Sequence, residues 1–275
     1  MKDKTPTLAT ASAALPPEGA QSALGRPGGG IQTPTDATVP VRTRIKICGL
    51  TREQDLDAAV QAGADAIGFV LYAKSPRAVS AQRAGELARR LPAFVSPVLL
   101  FVNAPLADIE AACALVPGAT LQFHGDETPA DCDAAARATG CAYLRAARIP
   151  LGHGAAAFDL VKYAHDFSNA KAILLDAHVE GFGGGGKVFN WSLLPPSVNA
   201  HLVLSGGLHA ANVGDGIAQL RPRCNSLAVD ISSGVEATDA QGNALKGVKD
   251  PIKINQFVAA VRAADQRPCR TELNV

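Results

Sequence analysis

The sequence predicts an α/β fold of the (β/α)8 TIM-barrel class, on three observations. Eight short apolar runs lie between Ile45 and Ile231, separated by stretches with helical spacing. Together these units fill about 220 residues, the usual span of such a barrel. Paired glycine and serine–glycine turns follow the seventh and eighth runs, where barrels commonly build a phosphate site.

The runs are Ile45–Cys48, Ala66–Val70, Val98–Val102, Ala119–Gln122, Cys141–Arg145, Ala172–Asp176, Leu202–Ser205 and Leu227–Ile231. Each is apolar along its length, as a strand covered on both faces must be. Between them, Thr51 and Gln54 have capping-box spacing ahead of Leu56, Ala59, Val60 and Gly63 on one helical face. Ser80 can cap a helix containing Leu87 and Leu91. Val213, Ile217 and Leu220 share a face. Asp250-Pro251 opens a last helix, striped by Ile254, Phe257, Val258 and Val261. The unit after the sixth run is the weakest, because Phe189–Pro196 leaves room for only a very short helix. An open doubly wound sheet would usually carry a glycine fingerprint directly after its first strand. Cys48-Gly49-Leu50-Thr51 is not one.

Residues 1–42 differ from this pattern. They are rich in Pro, Gly, Ala and Thr, as in PPEG and GRPGGG, and keep no periodicity. Such a segment cannot bury enough apolar surface to offset its ordering entropy, so a disordered extension is expected, with the barrel at 43–275. The chain as a whole is 47% hydrophobic over 275 residues, enough for a sizeable core.

Composition also excludes several function classes. The net charge is +1, aromatics are few, and no basic stripe is interleaved with them, so no nucleic-acid partner is expected. The six cysteines show no two-residue gap of a zinc or redox motif, and several sit in apolar surroundings. That pattern fits a reducing cytoplasm better than a disulfide framework, and it implies no metal site. No apolar run approaches the roughly 20 residues that span a bilayer. Met1 to Ala20 lacks the basic start and apolar stretch of a secretory signal. A cytoplasmic protein without a membrane partner is the expectation.

In a barrel the active site lies at the C-terminal ends of the strands. The polar residues expected there are Cys48, Arg77, His124, Asp126, Arg145, Asp176 and Asp230. Gly206, Gly207, Ser232, Ser233 and Gly234 lie after the last two strands, where backbone N–H groups could hold a phosphate, or where they could be ordinary turns. Cys48 and Asp176 come from strands far enough apart to face each other across the mouth, as a base and an acid would, without metal or nucleotide. Equally, a cysteine there could be a core thiol and an aspartate a loop cap. Gly181–Lys187 reads GFGGGGK, close to a nucleotide-binding phosphate loop. The next residue is Val188, so the metal-binding hydroxyl is missing, and a mobile loop over the substrate is the better reading.

These motifs resemble, in order, those of the phosphoribosylanthranilate isomerases. KICGLTREQDLDAAVQAGADAIGFVLYAKSPRAVS runs from Lys46 to Ser80, LQFHGDE from Leu121 to Glu127 and LLDA from Leu174 to Ala177. LSGGL at Leu204–Leu208, VDISSGVE at Val229–Glu236 and KGVKDPIKI at Lys246–Ile254 complete the series, which covers about residues 44–263. The resemblance implies a ribulose-phosphate-binding barrel and a cofactor-free Amadori rearrangement of a small-molecule substrate, phosphoribosylanthranilate, in tryptophan biosynthesis. It implies Asp176 as general acid and Cys48 as general base, with Arg77 on the anthranilate carboxylate and His124 and Asp230 lining the pocket. Either a monomer or a homodimer fits it. The loop after strand six departs from the family's usual GGTG and Phe-Asp-Trp, reading GFGGGG and then Phe189-Asn190-Trp191.

Two other readings share the fold. A different phosphate-binding barrel enzyme, such as indole-glycerol-phosphate synthase or the histidine-pathway sugar isomerase, would not be separated by fold alone. The histidine-pathway isomerase uses two aspartates where this sequence has Cys48 and Asp176. A non-catalytic phosphate-sensing barrel would keep the glycine loops but need neither of those residues.

Overall fold

A computed structural model of the chain describes residues 42–151, 158–177 and 190–267. The expected N-terminal extension, apart from Arg42, and the GFGGGGK loop lie outside the described residues.

The eight expected strands are all present: β1 (Arg44–Cys48), β2 (Ala66–Val70), β3 (Ser96–Phe101), β4 (Thr120–Phe123), β5 (Tyr143–Ile149), β6 (Ala172–Ala177), β7 (Val198–Leu204) and β8 (Cys224–Ile231). They form a closed barrel in sequence order, every neighbouring pair parallel. β8 returns to pair with β1, Lys46 opposite Asp230. The barrel therefore has no free sheet edge.

Alternation along each strand separates two cores. Ile45, Ile47, Ile67, Phe69, Leu99, Phe101, Leu121, Phe123, Ile173 and Leu175 belong to the large outer core under the helices. The intervening residues turn inward, and they form smaller clusters: Cys48, Val70, Leu100 and Val102 on one side, Ala146, Ala172, Leu174 and Val203 on the other. Burying an outer-core phenylalanine such as Phe69 or Phe123 contributes about 1.5–3 kcal/mol, so the outer layer anchors the barrel. The interior can then accommodate charge at its upper end.

The outer layer comprises α1 (Glu53–Ala62), α2 (Ala81–Ala88), α3 (Leu106–Leu115), α4 (Pro129–Thr139), α5 (Leu160–Asp166), α6 (Val213–Leu220) and α7 (Pro251–Asp265). Ser80 caps α2 by accepting from the Arg83 N–H, and Asp250 caps α7 with Pro251 in its first turn, as the sequence implies. Among the described residues between β6 and β7, a single 3₁₀ turn, Trp191–Leu193, stands in place of a helix.

Three local expectations fail, the first being Leu91, which lies beyond the end of α2 at Ala88. Thr51 and Gln54 do not form a capping box. α1 starts from Arg52 without a side-chain cap, and the Thr51 hydroxyl instead donates to the Gly247 carbonyl at 2.8 Å. Gly63 is not on the apolar face of α1 but ends it, at φ 97°, a left-handed conformation that glycine adopts without Cβ strain. Beyond the predicted pattern, β9 (Glu236–Thr238) and β10 (Ala244–Lys249) form an antiparallel pair between β8 and α7.

Candidate active site

The strand ends carry Cys48, His124, Asp176 and Asp230 at one end of the barrel, all buried. Cys48 and Asp230 sit on the inward-facing set of β1 and β8, and Asp176 on that of β6. Arg145, by contrast, alternates with Ala146 and shares the outward side with Tyr143 and Ala147. Its guanidinium donates to the Phe123 and Gly125 carbonyls, both at 3.0 Å, and to Glu127, and lies over the Phe167 ring. It braces the loop after β4 from behind and does not enter the mouth. The expectation failed because β5 runs on to Ile149 instead of ending at Arg145. The inward residue nearer its end is Arg148, in register with Asp176 and paired with Asp126 at 2.6 Å.

Asp176 is held from two sides. Its Oδ2 lies 3.0 Å from His124 Nε2, and its Oδ1 accepts the Ala177 N–H at 3.0 Å. Gln122, two residues before His124 and on the same face, places its amide 3.2 Å from His124 Nδ1. With the Gln122 NH2 toward the ring, Nδ1 accepts and Nε2–H donates to an ionised Asp176. That orientation leaves Gln122 Oε1 buried without a partner. Turning the amide over would pair Oε1 with Nδ1–H but put the NH2 in the unpartnered place, so one polar group of Gln122 is orphaned either way.

Cys48 lies in a different electrostatic setting. Lys46, on the same inward side of β1, donates from Nζ to Asp230 Oδ1 at 2.9 Å, with both side chains buried. Burial opposes the Lys46 charge, but Asp230 and Cys48 together raise its pKa. Burial pushes the Cys48 thiol up, against the opposing pull of Lys46. Gly68, in register with Cys48, leaves the space between them open: a Cβ there would lie 2.7 Å from Cys48 Sγ.

Arg77 spends two of its nitrogens on Glu236, Nε to Oε1 at 2.6 Å and Nη2 to Oε2 at 2.9 Å. Glu236 also accepts the Gly247 N–H at 2.8 Å and lies 3.4 Å from Lys249 Nζ. Lys249 donates to the Ser232 carbonyl at 2.8 Å, and Ser232 Oγ donates to the Cys48 carbonyl at 3.0 Å. The β9–β10 pair therefore ties Arg77, the loop after β8 and the end of β1 into one network. Burial drives the Lys249 pKa down to about 8, with Glu236 opposing. Sequence reasoning missed Glu236, Lys249 and Lys46. Only Lys46 left a signal, as a lysine inside an otherwise apolar run, two residues from Cys48.

Gly206 and Gly207 both have positive φ, at 79° and 61°. Gly234 approaches the Leu208 carbonyl so closely that a Cβ would stand 2.0 Å from its oxygen. The two glycine-bearing loops therefore pack backbone to backbone, with Ser233 opening a 3₁₀ turn. Backbone N–H groups of such loops suit an anion.

The family model described as N-(5'-phosphoribosyl)anthranilate isomerase matches residues 45–260. This chain belongs to that family. The phosphoribosylanthranilate isomerase of Methylibium petroleiphilum is 59% identical over 233 residues, which is 85% of this chain and all of that one. The crystal structure of the Thermotoga maritima phosphoribosylanthranilate isomerase has a TM-score of 0.67 at 35% identity, covering 80% of this chain and 99% of that chain. A further isomerase structure, in complex with reduced 1-(o-carboxyphenylamino)-1-deoxyribulose 5-phosphate, has a TM-score of 0.62 at 31% identity, with the same coverage. The chain is thus a phosphoribosylanthranilate isomerase of tryptophan biosynthesis on a TIM barrel. Among the described residues no helix is long and apolar enough to cross a membrane.

Proposed function

We propose that this isomerase converts N-(5-phosphoribosyl)anthranilate to 1-(2-carboxyphenylamino)-1-deoxyribulose 5-phosphate by general acid–base catalysis, with Asp176 as acid and Cys48 as base. The observation that carries the reading is the division of the mouth: Asp176 is hydrogen-bonded to His124 Nε2, while Cys48 stands beside the Lys46–Asp230 pair. Asp176 protonates the furanose ring oxygen as the C1–O bond breaks, giving a Schiff base. The Cys48 thiolate then takes the C2 proton, and the enolamine tautomerises to the ketose.

Binding follows from the surrounding loops. Gly206, Gly207, Ser232, Ser233 and Gly234 receive the phosphate on backbone N–H groups. Arg77 meets the anthranilate carboxylate through the nitrogen that Glu236 leaves free, because Nη1 has no hydrogen-bond partner among the described residues. His124 and Asp230 line the pocket as well as holding Asp176 and Lys46. The relative bound to a reduced form of the product is in keeping with this small-molecule site. No cofactor enters the mechanism. A cytoplasmic monomer or homodimer belongs to the same reading.

Complementation tests the proposal. The chain should restore growth without tryptophan to a strain lacking only this isomerase, and Cys48→Ser or Asp176→Asn should not. Full rescue by either variant would remove that residue from the mechanism.

A further inference from the structure

A buried thiol is a poor base unless something stabilises its charged form. Cys48 is nearly fully enclosed, and the surrounding strands offer it few charges: Lys46 on β1, Asp230 on β8 and Lys249 on β10. Gly68 on β2 is the one residue directly opposite it in register, and it brings no side chain. A Cβ at Gly68 would stand 2.7 Å from Cys48 Sγ and 3.0 Å from Lys46 Nζ. The thiol and the ammonium thus border the same small gap, inside the range of about 4–6 Å over which an opposite charge favours ionisation.

We propose that Lys46, held in place by Asp230, is a positioning residue for the reaction: its ammonium is the counterion of the Cys48 thiolate. Three features support this. Lys46 is the residue two before Cys48, so strand alternation puts both on one face. Asp230 fixes the ammonium at 2.9 Å and keeps it protonated inside the barrel, where a lone lysine would tend to lose its charge. The glycine at position 68 keeps the gap open, since any larger residue would press on both groups. Lys46 need not touch the substrate in this role. It makes a core thiol into a usable base, while Asp230 opposes the thiolate and limits the effect.

This inference rests on Cys48 acting as the base, but its test does not depend on turnover. The thiolate absorbs in the ultraviolet, so the Cys48 titration can be read as the difference between each protein and its Cys48→Ser counterpart. Lys46→Gln should raise the midpoint by roughly one to three pH units, while Lys46→Arg, which keeps a positive charge beside the thiol, should leave it near that of the parent. A purely structural role for Lys46 predicts that both changes move the midpoint alike, because each disturbs the same packed ion pair. An unshifted midpoint in Lys46→Gln, or an equal shift in both variants, overturns the proposal. If Lys46→Gln does not fold, the double variant K46Q/D230N leaves no unpaired buried charge. Its midpoint should still lie above that of the parent, and an unchanged or lower one overturns the proposal. The acid limb of kcat against pH should follow the thiol in each variant. A thiol that moves as stated while the limb stays fixed would sink the base assignment and leave the counterion inference standing.

Discussion

Arg77 and Glu236 form a buried two-point ion pair, with nitrogen–oxygen distances of 2.6 and 2.9 Å. It joins the loop after β2 to the start of β9, 159 residues further along the chain. Arg77 therefore has a structural task beside the substrate contact proposed for it. Arg77→Ala should weaken binding of a product analogue by about tenfold to a hundredfold, the loss of a charged contact of about 1.5–3 kcal/mol. It should also lower stability by about 3–5 kcal/mol, because the Glu236 carboxylate would stay buried without its main partner. Arg77→Lys should recover only part of either loss, since an ammonium cannot meet both carboxylate oxygens in the same plane. Calorimetric binding and urea midpoints read the two effects separately; normal binding in Arg77→Ala would reassign the carboxylate.

Glu236 makes acid stability a readout of the same network. Burial favours its neutral form, but Arg77 and Lys249 outweigh burial and hold its carboxyl below its ordinary value of 4.5. A depressed carboxylate contributes stability that is complete above the ordinary value and is lost as pH falls through the folded one. Unfolding free energy should therefore fall below about pH 4.5 more steeply in the parent than in Glu236→Gln. The variant should be the less stable at neutral pH, and the two curves should converge in acid. Parallel curves would mean that Glu236 is not the group responsible.

The loops after β7 and β8 give a steric prediction. Gly234→Ala would press a methyl group against the Leu208 carbonyl, an approach that backbone cannot absorb without movement. The loops should separate, and competitive inhibition by inorganic phosphate should weaken at least tenfold, on the order of the 1.4 kcal/mol lost with one good anion contact. Unchanged inhibition would move the phosphate elsewhere.

Residues 1–40 are expected to be dispensable, because their composition cannot support a core. Removing them should leave the melting temperature and turnover nearly unchanged. A large fall in either would show that the segment contributes to the barrel.

The barrel was legible because its strands are covered on both faces, so each reads as a mainly apolar run. Strand ends were less legible. β5 continues four residues past Arg145, through Ala146, Ala147, Arg148 and Ile149; three of the four are buried, but two small alanines and an arginine do not read as an apolar run. Arg145 therefore lies within the strand and not at its end, and alternation puts it on the outer side with Tyr143 and Ala147. The residues named as acid and base could be found by position, at strand ends with polar character. Their partners could not. Lys46 reads as a single polar residue inside an apolar run and Gln122 as the polar end of another; the Lys46 partner, Asp230, is set by register, which the sequence does not display. Glu236 and Lys249 meet only once β9 and β10 pair, and a short hairpin leaves little periodicity to detect. Thr51 shows the converse: a capping-box spacing gave way to a tertiary bond with Gly247.

The most direct test of the acid and base roles uses substrate deuterated at C2. In Cys48→Ser the hydroxyl is far less able to ionise, so C2–H cleavage should become limiting. Turnover should fall about a hundredfold or more, with a primary isotope effect. In Asp176→Asn the proton donor for ring opening is missing, a step that precedes C2–H cleavage. Turnover should fall comparably with only a small isotope effect. The reverse pattern, a large effect in Asp176→Asn and a small one in Cys48→Ser, would contradict the assignment and exchange the two roles.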